Sequence, residues 1–319
     1  MTLNEAISQA CQSVGIVPPR GQFAMRKWVK ADTNSGKNGK GDGRLICDDD
    51  RVTAINWQTG DKTTVWLKEN RTVEDRRRYA QQRAEDEQRD REKAARTAQT
   101  AERMVRAAKP SEHSYLKRKG FPDERPLVLA ADAVRQMAGY TNDRGQFVPA
   151  DYLVPPAAAM AIVVPARIGQ KITSAQLIWE DGTKKFLFGG EMGAASHRIA
   201  TGSAAWLCEG YATGLSLRAA LRGLKRRDTI LVCFSAANIV KVAAEIDGQC
   251  YIAADHDAPP AAKPEQFGGL GAGEYFAQKA GKPYAMPPEQ TTDFNDYHQT
   301  AGIFAVQRLV NGLLRGVPM

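Results

Sequence analysis

Apolar and polar positions change their spacing several times along the chain, and each change marks a segment. Residues 1–20 carry the pattern of a short amphipathic helix ending at Pro18-Pro19. From residue 21 to 68 the pattern shifts to short β-like runs, FAMRKWVK, RLICD, RVTAINW and TTVWLK, separated by Gly, Asn and Asp turns. Residues 1–68 are therefore expected to form a small β-rich N-terminal domain. Residues 70–108 are rich in Ala, Arg, Glu and Gln with few large apolar side chains, so 69–110 reads as a charged helical linker. Ion pairs at i,i+4 would brace this solvated connector, and Lys109-Pro110 would end it. Apolar a and d positions for a coiled coil are absent.

A second globular region begins at Ser111. SYLKRKGF reads as a helix end and a turn. AMAIVVPAR, TSAQLIWE and KKFLFGG then read as antiparallel strands joined at Gly169 and Asp181-Gly182. From Ala204 the pattern alternates strand and helix: AAWLC with YATGLSLRAALRG, TILVCFS with AANIVKVAAEI, and CYIAA with a long loop and GEYFAQKAG. Short apolar strands interleaved with helices predict parallel β–α units. The expected layout is an antiparallel, basic subdomain over 111–202, a parallel-sheet domain over 203–300 and a C-terminal helix over 301–319. The fold class is α+β, with an α/β unit as its last domain.

Two acidic signals end two of those strands. Glu209 follows Ala205-Trp206-Leu207-Cys208 and precedes Gly210; Asp255 and Asp257 follow Tyr251-Ile252-Ala253-Ala254. In a parallel sheet the C-terminal strand ends share one edge, so residues far apart in sequence can converge there. Carboxylates about 4 Å apart repel by roughly 4 kcal/mol per pair at an effective dielectric near 20. A divalent cation removes that penalty, and an all-oxygen donor set suits Mg²⁺ or Mn²⁺. Such a site polarises phosphoryl groups and activates a hydroxyl. Gly210 permits a sharp turn, and the following helix points its first amides at phosphate. The competing explanation, solvated turns that happen to be acidic, fits either signal alone better than both together.

Charge placement adds to this picture. The formal net charge is +8, yet Ser203–Thr300 balances to −2, leaving +10 on the rest. An acidic segment flanked by basic ones fits a metal site within a nucleic-acid-binding protein. The five cysteines are scattered without a CxxC pair, and His113, His197, His256 and His298 show no metal spacing, so no structural zinc is expected. Cys208, Cys233 and Cys250 lie in apolar runs and read as buried reduced thiols. No apolar run approaches the length of a membrane span, and the N-terminus is polar and acidic where a signal peptide is basic then apolar, so a cytoplasmic location is expected. The glycine-rich loop GKNGKGDGR lacks the Gly-Lys-Ser/Thr of a P-loop, which occurs nowhere in the chain.

The segments Glu209-Gly210-Tyr211-Ala212-Thr213-Gly214-Leu215-Ser216, Asp255-His256-Asp257 and Asp293-Phe294-Asn295-Asp296-Tyr297-His298 together resemble the Toprim domain of phage- and plasmid-type DNA primases. The resemblance reaches upstream to Tyr115-Leu116-x-x-Lys119-Gly120 and to Gly182-x-Lys184-Lys185-Phe186-x-x-Gly189-Gly190, which looks like the family's basic subdomain. It covers roughly residues 111–300. It implies that Glu209, Asp255 and Asp257 hold the catalytic metals, with two ions of Mg²⁺ or Mn²⁺ as cofactors. Glu209 would also act as acid/base, Asp293 as a further metal ligand, and Asp296 and His298 as secondary contacts. Thr213 stands where cellular members usually carry Asp, which removes one acidic contact.

The resemblance further implies synthesis of short RNA primers on a single-stranded DNA template from nucleoside triphosphates, during replication of a phage, plasmid or other mobile element. Lys184, Lys185 and Lys119 are the expected phosphate contacts, with Lys185 among the catalytic group, and Lys37 and Lys40 the expected DNA contacts of the N-terminal domain. Trp28, among Lys27, Lys30 and Arg44, is a candidate for base stacking, whereas Trp57 and Trp66 read as core. The missing P-loop implies a separate helicase as partner. The rival readings are a Toprim-type nuclease, since the same carboxylates can hydrolyse phosphodiesters, and a non-catalytic DNA-binding replication accessory protein.

Overall fold

The computed structural model describes residues 1–21, 24–34, 40–67, 72–261 and 264–316. By its internal contacts the chain divides into two compact units, residues 1–84 with 257–275 and residues 85–256 with 276–319.

In the first unit, α1 (Leu3–Val14) starts from a capping box. The Thr2 hydroxyl accepts from the Glu5 amide, and the Glu5 carboxylate accepts from the Thr2 amide at 2.8 Å. Its inner face of Ala6, Ile7, Ala10, Cys11 and Val14 packs with Leu45, Val52 and Ala54. Those last residues belong to a four-stranded antiparallel sheet of β1 (Val29–Ala31), β2 (Gly43–Cys47), β3 (Arg51–Asn56) and β4 (Lys62–Trp66), in that spatial order. Trp57 corrects an expectation. It is 64% exposed rather than core, because it lies one residue past β3 in a turn closed by the Asn56 amide donating to the Asp61 carbonyl. Trp66 is half-buried beneath the Arg51 guanidinium, 5.5 Å from the ring centre. Trp28 and Lys40 are exposed; Lys37 lies outside the described residues.

The charged helix is α2 (Val73–Ala107). Exposed pairs such as Arg89–Asp86 and Arg91–Glu87 brace its middle. Its last turns are not solvated, which is a second correction. Ala98 is buried, and Ala101 and Met104, with Ala108 beyond the helix end, share a core with Leu129, Leu153, Leu177 and Trp179. Small residues at three- and four-residue spacing form a narrow stripe that lets a sheet approach closely, although the helix is polar on average.

That sheet is antiparallel, with spatial order β11-β10-β9-β6-β5. Its strands are β5 (Lys109–Pro110), β6 (Leu127–Ala130), β9 (Met160–Ile168), β10 (Lys171–Trp179) and β11 (Lys184–Phe186). Between them lie α3 (Ser114–Arg118), α4 (Ala131–Ala138) and a small hairpin of β7 (Tyr140–Thr141) and β8 (Phe147–Val148).

The second sheet of this unit has the order β12-β14-β13-β15-β16, with β12 (His197–Ala200) antiparallel at one edge. The other four, β13 (Ala205–Cys208), β14 (Thr229–Val232), β15 (Cys250–Ala253) and β16 (Tyr284–Ala285), run parallel. The helices α5 (Tyr211–Gly223), α6 (Ala236–Ala244) and α7 (Ala272–Ala280) connect them, and α8 (Phe294–Ala301) and α9 (Ile303–Leu314) follow. Trp206, Leu215, Leu221, Ile230, Phe294 and Val306 share one core, while Leu207, Ile239, Val242 and Ile252 share another. Gly214 makes the close seat of α5 possible: a Cβ there would lie 2.5 Å from Ile199 Cδ1. All described cysteines are free and buried. No described helix is long and apolar enough to cross a membrane.

Candidate active site

The parallel strands, numbered by their order in the chain, lie side by side as second, first, third, fourth. The strand order therefore reverses between β13 and β15, and connections leave to opposite sides there. Open α/β sheets bind their ligands in the crevice at that point, outside the C-terminal strand ends. The register pairs Cys208 with Ala253, so Glu209 and Asp255 emerge from the two strands that flank the reversal. Both are half-buried.

The Cys208 thiol is held well above its usual range, first by burial and then by the Cys233 thiol and the charges of Asp255, Asp293 and Glu209. Asp293, far along the chain, therefore acts electrostatically on the end of β13 that carries Glu209. Asp293 is also the N-cap of α8: Oδ1 accepts from the amides of Asn295 at 2.6 Å and Asp296 at 2.8 Å, leaving Oδ2 for another partner.

Asp257 belongs to the segment 257–275 that groups with the N-terminal unit, and its Oδ2 accepts from the Gly273 amide at 2.9 Å. His256 bridges to Thr292 through the backbone and sets its Nδ1 2.8 Å from the Pro287 carbonyl. Among the described residues no three His, Cys, Asp or Glu side chains stand close enough to enclose an ion. The donor chemistry nonetheless suits a hard divalent cation, because the groups gathered at the sheet edge are carboxylates and the thiol among them is buried and kept protonated.

The basic residues separate along the pleat. Successive side chains on a strand point to opposite faces, so Lys184 and Lys185 do not share one. Lys184 comes to the acidic edge: its Nζ is 3.9 Å from where a Cβ would stand on Gly210, the residue after Glu209. Phe186, on the same face as Lys184, packs edge-on against Phe234, which follows β14. Phe234 adopts a left-handed backbone (φ 70°), and its amide donates to the Glu209 carbonyl at 3.0 Å. A left-handed aromatic costs on the order of 1–2 kcal/mol, and here it fixes the turn that carries Glu209.

Gly210 is the N-cap of α5 and has no side chain to offer the first-turn amides. Thr213, fully buried, aims at the same end of the helix. Its Oγ1 lies 3.5 Å from the Gly210 Cβ position and has no hydrogen-bond partner.

The segment Asp293–His298 docks α8. The fully buried Asn295 donates to the Lys119 carbonyl at 2.9 Å and to the Ser216 hydroxyl at 3.2 Å. Lys119 Nζ donates to Asp296 Oδ1 at 3.1 Å, and His298 Nδ1 faces Ser216 Oγ at 3.1 Å. Burial lowers the His298 pKa and favours its neutral form. Tyr115 is buried beside the same carboxylates, and burial with the charges of Asp293 and Asp296 pushes its phenol up to about 12. Lys119, Asp296 and His298 thus tie α3, α5 and α8 together. Thr213, Ser216, Asn295 and Phe234 carry contacts that spacing did not assign to them. A visible hint was the Asn beside Phe294 at the start of an apolar helix face.

Residues 204–303 match a family model described as Toprim domain. Among solved structures, one similar chain comes from the bacteriophage T7 lagging-strand DNA polymerase interacting with primase domains bound to an RNA/DNA hybrid and dTTP. It shows 19% identity and a TM-score of 0.34, over 49% of this chain and 80% of that one. Another is the primase fragment of the bacteriophage T7 primase-helicase protein, at 17% identity and TM-score 0.35, over 48% of this chain and 65% of that one. No curated protein matches the sequence. The acidic edge at the strand reversal and the family match over the same stretch agree: residues 204–303 are a Toprim domain.

Proposed function

We propose that the protein is a DNA primase, which makes short RNA primers on single-stranded DNA by metal-dependent nucleotidyl transfer. The observation that carries this reading is the placement of Glu209 and Asp255 at the strand reversal of a Toprim domain, with Lys184 beside the same turn. A bare hydrolytic site needs carboxylates; a site that also accepts a nucleoside triphosphate gains from a cation and free helix amides next to them.

Glu209, Asp255, Asp257 and Asp293 would hold the Mg²⁺ or Mn²⁺ ions. When bound, those ions supply charge neutralisation at the reacting phosphoryl group and lower the pKa of the attacking hydroxyl. Glu209 takes the 3′-hydroxyl proton on a carboxylate oxygen. Lys184 Nζ and the first amides of α5 bind and orient the triphosphate. Lys119 holds Asp296, and Asn295 holds Lys119 and Ser216, so the Asp293–His298 segment keeps the acidic edge in register. Lys185, on the opposite face of β11, would meet template rather than the reacting phosphate. Exposed Trp28, Trp57 and Lys40 would help the N-terminal unit retain single-stranded DNA. The motif resemblance to phage- and plasmid-type primases supports a role in replicating a mobile element, with a separate helicase.

The test incubates the purified chain with single-stranded DNA, labelled nucleoside triphosphates and Mg²⁺ or Mn²⁺, beside the Asp255→Ala/Asp257→Ala protein. Short metal-dependent products that vanish in the variant are expected. Shortened template would mean a nuclease, and DNA binding with neither product would mean a non-catalytic accessory protein.

A further inference from the structure

The Toprim sheet has a second edge, at the N-terminal ends of its strands. There α5 ends at Gly223, and the chain turns through Arg226 and Arg227 into β14. A hollow of about 700 Å³ opens at this turn, with the buried side chains of Leu221 and Ile230 in its lining. Arg218, Arg222, Lys225, Arg226 and Arg227 also line it, against the single carboxylate of Asp228. Residues 203–300 contain nine Lys and Arg in all, and five of them lie here, in a segment whose net charge is −2. So dense a cluster is not what scattered surface charge would produce.

Two of the five cations are already neutralised. Arg226 pairs with Asp228 at 2.9 Å, and Asp228 is saturated, accepting also from Trp206 Nε1 at 3.1 Å and Ser203 Oγ at 3.2 Å. Arg218 pairs with Glu124. Arg222, Lys225 and Arg227 are exposed, and among the described residues none of the three forms an ion pair. The frame that holds them is built closely. The Ser203 amide donates to the Arg227 carbonyl, and a Cβ on Gly202 would stand 2.0 Å from that carbonyl oxygen. Thr229 Oγ1 exchanges hydrogen bonds with the Gly202 amide and carbonyl, at 2.9 and 3.0 Å. Three like charges held together on a fixed frame repel one another, and a polyanion relieves that.

We propose that this hollow is a second nucleic-acid site, which grips the phosphates of a single strand away from the carboxylates. Among the described residues no aromatic side chain lines it, so none of them stacks a base or selects one, and recognition falls on the backbone. A free nucleotide would gain little from such a lining beyond its phosphates, whereas a strand presents successive phosphates to the three separate cations. The 13 residues of α5 put the hollow about 20 Å from the Glu209 turn at 1.5 Å per residue. That separation lets the strand be held outside the acidic edge while the edge remains clear. The site is independent of what chemistry Glu209 and Asp255 perform.

The experiment measures binding of the full chain to a fluorescein-labelled oligothymidylate by anisotropy, between about 50 and 200 mM salt. Each phosphate contact on a single strand contributes about 0.7 to the slope of log affinity against log salt. The Arg222→Gln/Lys225→Gln/Arg227→Gln protein is expected to lose about 2 from that slope. The exposed control Lys109→Gln/Arg144→Gln/Lys171→Gln should keep most of it. Equal losses in both, or none in the first, overturn the proposal. So does binding of inorganic tripolyphosphate that disappears in the first variant while the DNA slope stays unchanged, which would make the hollow a small-anion pocket. If the triple variant does not fold, Arg222→Gln/Arg227→Gln is read in the same way, with an expected loss of about 1.4. The Asp255→Ala/Asp257→Ala protein must retain the wild-type slope, which separates failure here from failure of the primase reading.

Discussion

The two edges of the Toprim sheet are built from the same strands and joined by the same helix, yet they carry opposite charge. At the C-terminal edge Glu209 and Asp255 end neighbouring strands, the charge of Asp293 acts on the same Cys208 thiol, and Lys184 stands beside the helix start. At the N-terminal edge Arg222, Lys225 and Arg227 surround a hollow whose lining carboxylate, Asp228, is already committed to Arg226, Trp206 and Ser203. The α5 dipole runs between them, with its positive end at the carboxylates and its negative end at the arginines, so each edge suits the helix terminus it meets. That contribution falls off within a turn and is worth about 0.3–1 kcal/mol per charge, too little to explain five cations in one place. A net charge of −2 over residues 203–300 therefore conceals two sites of opposite sign.

Four measurements break or sharpen this contrast. The largest effect belongs to the acidic edge. Glu209→Gln should lower the primer synthesis rate by about 10²–10⁴-fold while leaving the thermal midpoint close to wild type, if Glu209 moves a proton; steady-state rates with matched melting curves decide it. Unchanged rates would reduce Glu209 to a spectator.

Next is Asp228 at the basic edge. Asp228→Ala strands the buried Trp206 indole nitrogen and frees Arg226, and should cost about 2–4 kcal/mol in urea unfolding. The same substitution should strengthen single-strand binding at low salt, because it uncovers a further cation. Weaker binding in a folded variant would contradict the charge argument.

Acid acts on the strand that borders the sheet. His197 is largely buried on β12 against the Pro165 carbonyl, and burial lowers its pKa to about 4. The unfolded chain takes the proton near pH 6.5 and the folded chain does not, so this contribution is complete above that pH and declines as pH falls toward 4. The loss should reach roughly 2–3 kcal/mol, seen as a falling urea midpoint that His197→Asn flattens. A variant with the wild-type pH profile would remove His197 as the cause.

The smallest effect distinguishes packing from binding at the start of α5. Thr213→Val removes a buried hydroxyl that has no partner, and should leave stability unchanged or raise it by about 1 kcal/mol. If Thr213 Oγ1 contacts the triphosphate, the same variant raises the KM for nucleotide several-fold with little change in kcat. An unaltered KM would make Thr213 a core residue only.

Legibility in the sequence was uneven, for identifiable reasons. The strand–helix alternation after Ala204 showed the parallel sheet, because buried parallel strands are short, continuous apolar runs with helices between them. Glu209 and Asp255 stood out because each ends such a run. The N-terminal strands were equally visible, but Trp57 was not: a tryptophan one residue beyond a strand looks like one within it until the turn is seen. The buried end of α2 was hidden by the strong polarity of the same helix upstream.

The sequence by itself determined the periodicities, the acidic strand ends and the absence of a P-loop or paired cysteines, since these are local and need no folded partner. Only the tertiary structure decided which strands neighbour one another, and hence that the strand order reverses between Glu209 and Asp255. It also separated Lys184 from Lys185, docked Asn295 against Lys119 and Ser216 across the sequence, and collected Arg222, Lys225 and Arg227 around one hollow. Strand order, pleat and helix crossing are set by long-range packing, and one-dimensional spacing does not encode which faces will meet.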